Sequence, residues 1–314
     1  MMGIDLSGLG GWIDDQQAVQ TVMKTMDRPF VANSPAIRGW GENKDIFLWK
    51  AEELLFKKTL PAFHQTRGTC VSQGAGRAAQ DLLIINLVIK KKSEEWVTGV
   101  ATEPIYIGSR VEVGGGKLGN SEGSVGAWAA KFLKGWGVLL RQVYGNLDFT
   151  NPNDDLACKM AGPGQGLPKE LEDVAKEHPL QDFSQVSSFN DVRDVVCSWR
   201  PVTVASNRGF STVRDSRGFC RPQGTWNHQM CIRGAGVAKG NIPFGVIQQS
   251  WGLSPTGNDT LILETGEEVK LPEGCFAVEA QVIDGMVKQE DSWGFSDIKG
   301  FEPRTIEWTY EDFA

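Results

Sequence analysis

The chain has 314 residues, enough for a sizeable core and about two lobes, and its hydrophobic and charged fractions, 40% and 23%, are those of an ordinary globular protein. A net charge of −7 argues against a general nucleic-acid binder. The opening Met1-Met2-Gly3-Ile4-Asp5 has no basic and no apolar region, so no secretory signal is expected. The longest apolar run, residues 82–89, is broken by Asn86 and too short to span a bilayer, so no membrane partner is expected. Six cysteines without a CxxC pair exclude a zinc knuckle, and the expected setting is a reducing cytoplasm.

Residues 1–58 read as an N-terminal extension. Asp14-Asp15 caps a helix with the stripe Val19, Val22, Met23 and Met26, ended by Pro29 and Pro35. Residues 45–58 form a second amphipathic segment around Ile46, Trp49, Leu54 and Leu55. The extension serves either as a pro-segment or docking arm, or as a packed N-terminal subdomain.

Residues 59–150 read as a helical lobe. A long helix starts at Cys70 and is apolar on nearly every side, which places it at the centre of a domain. Lys90-Lys91-Lys92 closes it with the charge that the helix dipole favours at a C-terminus. Residues 112–124 are Gly-rich without phosphate-loop spacing. They form either a flexible loop or a wall where a substrate backbone comes close. Residues 125–136 read as a second helix, stopped by Gly135 and Gly137.

Residues 151–290 read as a β-rich lobe. Residues 151–179 look like a polar connector, and Ser188 opens a helix with the stripe Val192, Val195, Val196 and Trp199. Short apolar runs at 201–205, 229–237, 243–248, 261–264 and 274–280 follow, with no helix-length segment between them. They predict antiparallel strands. The fold class is therefore α+β with two lobes, and the aromatic tail 291–314 is expected to pack back on the body.

The chemistry gathers around His64-Gln65-Thr66-Arg67-Gly68-Thr69-Cys70. A thiol at a helix start is where a thiolate is stabilised, by unpaired backbone N–H groups and the positive end of the dipole. Gln65, five residues upstream, can offer a side-chain N–H to an oxyanion formed at that sulfur. Of the three histidines, His178 sits in the connector and His64 precedes the helix. His228 opens a strand after Asn227, where it can face the other lobe and act as base. The amide of Gln249, followed by Ser250-Trp251-Gly252, is placed to orient it.

In this order the chain resembles the papain-like cysteine peptidases over residues 60–280. The gap from Cys70 to His228 is 158 residues, near that family's usual 130–150. Gln65 with Gly68-Thr69-Cys70 is similar to the family's oxyanion Gln and nucleophile. Asn227-His228 followed by Gly234-Ala235-Gly236 is similar to its His strand, and Gln249-Ser250-Trp251-Gly252 to its Asn-Ser-Trp-Gly. Ser121-Glu122-Gly123-Ser124 looks like the wall of its substrate cleft. Gln249 departs from the family's Asn, Val71 from its aromatic residue after the Cys, and Arg67 from a disulfide Cys of many secreted members.

The resemblance implies a helical left lobe, a β right lobe and an active-site cleft between them. It implies a peptide or protein substrate and a thiol peptidase without metal or organic cofactor. Cys70 would be nucleophile, His228 base, Gln249 orienter and Gln65 oxyanion donor; Gly123 and Asn227 would contact substrate, and Trp251 would shield the His–Gln contact. Two rivals keep the fold. One is a structural or binding protein, like those carried by bacteria and their tailed phages, that meets virion or host proteins through residues 1–58. The other is a cell-wall peptide hydrolase or acyl transferase.

Overall fold

The structure, a computed structural model, describes residues 10–91, 99–178, 180–252, 254–297, 299–302, 304 and 306. The opening five residues, Lys92, Pro179 and the end of the tail lie outside the described residues.

Helix α3 (Cys70–Lys90) is the axis of the molecule and is almost wholly buried as far as Val88. Small residues line it because other elements come close. A Cβ on Gly74 would stand 3.2 Å from Gln229 Cγ, and one on Gly76 only 2.8 Å from Thr102 Cγ2. The helix stops at Lys91, which takes a left-handed φ of 55°. Before it come α1 (Gln16–Met23), capped by the Asp15 side chain, β1 (Ile46–Phe47) and α2 (Lys50–Phe56).

After α3 come α4 (Glu103–Gly108), a π-helical turn at Ser109–Val113 and α5 (Gly126–Trp136). The Gly-rich stretch between them is tied down, because the Arg110 guanidinium donates to the carbonyls of Gly119, Ser121 and Gly123. A small hairpin, β2 (Val143–Tyr144) and β3 (Leu147–Asp148), leads into the segment that the sequence presents as a connector. It contains two short helices, α6 (Asp154–Met160) and α7 (Glu170–Ala175). Each is about two turns, too short for its stripe to stand out from the surrounding Gly and Pro.

The second half is an antiparallel sheet of β4 (Asp182–Gln185), β5 (Val202–Phe210), β6 (Pro222–Ala238), β7 (Ile242–Gln248), β10 (Cys275–Glu279) and β11 (Trp293–Ser296), joined by β1. The order is β10-β7-β6-β5-β11-β4. β8 (Thr260–Ile262) and β9 (Glu268–Lys270) form a separate pair. β5 accompanies β6 as far as Ile232, and beyond it β1 pairs with Gly234 and Ala235. Part of the N-terminal extension is thus a strand of the main sheet, and the aromatic tail supplies β11 beside β5.

Side chains alternate across β6, as the two-residue period of a strand requires. Met230 and Ile232 pack with α8 (Phe189–Val196) and α9 (Ala280–Val287), whereas Cys231 packs with α3. Helices cover the sheet on both faces, which explains why its strands read as continuous apolar runs. Among the described residues no helix is long and apolar enough to cross a membrane.

Candidate active site

Cys70 is the first residue of α3 and is completely buried. Its Sγ accepts a hydrogen bond from the backbone amide of Gln229 at 3.4 Å. The thiol therefore lies against the residue directly after His228 on β6. The Gly11 amide also faces the sulfur, together with those of Val71 and Cys70 itself. These donors favour a thiolate, but burial outweighs them and pushes the thiol up to about 12.

His228 is equally buried, and neither ring nitrogen has a hydrogen-bond partner. Burial pulls its pKa down to about 3, so the ring is neutral near pH 7. One face is covered by Trp251, whose ring lies 4.4 Å away at 34°, with Trp226 edge-on behind it at 4.5 Å. Gln249 is also buried and continues from the end of β7, its amide donating to the Gly274 carbonyl at 3.1 Å. No hydrogen bond joins its side chain to the imidazole in this state, because both ring nitrogens are without a partner.

The Gln65 side chain is fixed at both ends. Ser250 Oγ donates to its Oε1 at 2.6 Å, and its Nε2 donates to the Arg67 carbonyl at 2.8 Å. The Gln65 amide donates to the Ser250 carbonyl at 2.7 Å, and His64 pairs with Trp251. The segment carrying the oxyanion candidate is thus zipped onto the segment carrying Gln249. Sequence places these two motifs 184 residues apart (249 minus 65), and the fold brings them together.

Gly123 has a φ of 98°, which favours glycine, and a Cβ there would stand 2.8 Å from the Gly11 carbonyl oxygen. The Asn227 carbonyl accepts from the Gly11 and Trp12 amides at 3.0 and 3.1 Å. Both candidate substrate contacts therefore face residues 10–13 of the chain itself. Those residues run beside the wall, with the Ser124 amide donating to Gly11 O at 2.8 Å and the Ile13 amide to Ser124 O at 2.9 Å. Only about 10 Å³ is open in the neighbouring gap lined by Gly74, Gln229, Gln249 and Ser250. A larger hollow of about 480 Å³, lined by Pro61, Phe63, His64, Val100 and Arg141, lies off the cleft.

Three residues that sequence reasoning passed over belong to this site. Gln229 holds the sulfur by its amide and the Val71 carbonyl by its Nε2 at 3.0 Å. A polar residue inside an apolar strand was the available signal for it. Gly11 passes so close to Gly68 that a Cβ would meet its carbonyl oxygen at 2.2 Å. Asp291 is buried behind the cleft wall, and nothing in its local sequence marks it. All six cysteines are free, and only Cys158 is not fully buried. Among the described residues no cluster of His, Cys, Asp or Glu could hold a metal ion.

A thiol at the start of a central buried helix, facing an antiparallel sheet that carries His228, is the layout of a papain-like two-lobed fold. The chain is similar to xylellain, a cysteine protease from Xylella fastidiosa, with a TM-score of 0.54 and 15% identity over 93% of this chain and 97% of that one. It is also similar to a ragweed cysteine protease, a major pollen allergen, in its proform, with a TM-score of 0.50 and 14% identity over 93% of this chain and 76% of that one. No family model matches the chain, and no curated protein matches it. At these identities the likeness establishes the fold.

Proposed function

We propose that the chain is a papain-like thiol peptidase. The observation that carries this reading is the position of Cys70, with its sulfur at the amide of the residue following His228 and at the N-terminus of the central helix. Once the His228 ring turns to within reach of the sulfur, Cys70 Sγ gives its proton to it, and the thiolate attacks the scissile carbonyl carbon. The resulting oxyanion faces the Gln65 side-chain N–H and the Cys70 backbone N–H. The imidazolium then gives its proton to the leaving amine as the C–N bond breaks, leaving a thioester. Water, deprotonated by His228, attacks the thioester carbonyl, the C–S bond breaks to release the carboxylic acid, and the imidazolium returns its proton to the Cys70 thiolate. Trp251 covers the imidazole, and Gln249 orients it once the ring shifts within reach. Gly123 and Asn227 offer backbone groups to an extended peptide.

The test is labelling with a peptidyl epoxide of a chain beginning at Asp14, which frees the cleft of residues 10–13, read cysteine by cysteine. The reading expects Cys70 to react faster than the more exposed Cys158, and Cys70→Ala to abolish casein hydrolysis. Reaction no faster at Cys70 than at the other five thiols would reject the mechanism. The filled cleft favours a second reading, a papain fold kept as a structural or binding protein. Stable binding of a protein partner by Cys70→Ala, without turnover by the parent, would select it.

A further inference from the structure

We propose that residues 10–13 are a strap closing the cleft and that the Trp12 indole, hydrogen-bonded to Asp291, is the latch holding it shut. Asp291 is then a positioning residue for both the strap and the cleft wall. The inference rests on the peptidase reading only for what the cleft does once open.

The strap pairs with both walls of the cleft through its backbone. Gly11 and Trp12 donate to Asn227 O on the sheet side, and Gly11 O and the Ile13 amide pair with Ser124 on the helical side. Gly11 fits between Gly68 and Cys70 because it has no side chain. Such main-chain bonds would be offered equally to another peptide, so they do not make the strap the preferred occupant. Trp12 does. Its side chain is 3% exposed, packs with the core of α1, α3 and α5, and donates from Nε1 to Asp291 Oδ2 at 2.8 Å.

Asp291 is fully buried and accepts four bonds from neutral donors. Oδ2 takes Trp12 Nε1 at 2.8 Å and the Gly126 amide at 2.7 Å; Oδ1 takes the Ala127 amide and Trp293 Nε1, each at 2.7 Å. Gly126 and Ala127 begin α5, which follows the wall residues Gly123 and Ser124 directly. One carboxylate therefore fixes the wall by two backbone bonds and the strap by one side-chain bond. Releasing Trp12 leaves the other three bonds in place.

The chain is also built to let the strap move alone. Asp14 is exposed, while Asp15 caps α1, and α1 buries Val19, Val22 and Met23 against the body. A swing at Asp14 uncovers Cys70 and His228 while α1 stays packed. The later part of the N-terminal region has no share in the motion, since β1 lies in the sheet and Glu52 of α2 is ion-paired to Arg233.

The experiment measures alkylation of Cys70 by iodoacetamide, resolved by cysteine with mass spectrometry, alongside thermal unfolding and turnover of a fluorogenic peptide. Trp12→Phe keeps the aromatic bulk and deletes the latch bond. A hydrogen bond to a carboxylate is worth enough that Cys70 labelling should rise by about tenfold or more. Trp293→Phe deletes an equivalent bond on the same carboxylate away from the strap, and should leave Cys70 labelling unchanged. A chain beginning at Asp14 should label fastest. Equal acceleration by both indole variants, or none in Trp12→Phe and the truncated chain, would overturn the latch. Faster labelling without any turnover supports the latch and rejects the peptidase reading.

Discussion

The interface between α3 and β6 has two ends, and they are built on opposite principles. At one end Cys70 meets Gln229 through a single 3.4 Å bond to sulfur, and His228 is buried with both ring nitrogens unbonded. Five residues further along β6, Arg233 donates to Asp81 through Nε and Nη2 at 2.8 and 2.7 Å, to Glu52 at 2.5 Å and to Gln248 at 3.0 Å. Arg77 adds a weaker contact to Glu52 and donates to the Pro61 carbonyl at 2.5 Å. All four charged groups are buried. One end clamps α2, α3 and the sheet with charges paired to one another, Arg77 Nε alone lacking a partner among them, while the other leaves the reactive pair undersatisfied. A fold that concentrates its polar satisfaction away from the cleft can hold unfavourable groups inside it.

The largest effect separates the two ends by what each variant abolishes. Cys70→Ala should lower peptide turnover by about 10⁴-fold or more while leaving the unfolding midpoint close to the parent's. Arg233→Met should do the reverse in origin. It leaves Asp81 buried without its arginine and Glu52 with only the weaker Arg77 contact, a loss of about 3–5 kcal/mol in unfolding free energy by denaturant titration. Replacing Arg233, Asp81 and Glu52 together by apolar residues of similar volume should recover much of that loss, because paired burial carries its own desolvation cost. A denaturation midpoint unmoved by Arg233→Met would show that the buried charges do not clamp this end of the interface.

The next effect is a pH dependence peculiar to the cleft end. His228 has a folded pKa near 3, below the usual 6.5, because burial disfavours the imidazolium. Between these values the opened or unfolded state binds a proton that the closed state does not. Stability of the closed state is therefore fully present above about pH 6.5 and lost as pH falls toward 3, with a ceiling of about 5 kcal/mol. Asp291, whose carboxyl burial pushes up, acts in the opposite sense, so the measurement must be differential. The difference in stability between the parent and His228→Gln should change with pH across this window. A difference flat from pH 7 to 4 would show that His228 is not held neutral.

Much of this was legible from residue order. The helix at Cys70 and a strand through His228 follow from local pattern and spacing, with β6 starting earlier than expected, at Pro222, and the papain-like fold agrees with them. Three things were not legible. Arg110 threads the Gly-rich loop with side-chain bonds that leave no periodic trace. Residues 45–58 look like one amphipathic segment because a two-residue strand and a seven-residue helix share that stripe. The strap depends on a contact between Trp12 and Asp291, separated by 279 residues, and neither position has a local pattern that calls for the other.

The smallest predicted effect tests whether the cleft end owes its stability to polar contacts at all. Gln229 Nε2 donates to the Val71 carbonyl, but its Oε1 is buried without a partner, beside Gly126. The first contributes about 1 kcal/mol and the second costs a similar amount, so they nearly cancel. Gln229→Met removes both at nearly constant length, and the sulfur keeps its backbone donor. Chemical denaturation should place the variant within about 1 kcal/mol of the parent, with Cys70 labelling little changed. A loss of about 3 kcal/mol would mean that the side chain is a second clamp, and the contrast between the two ends of the interface would then fail.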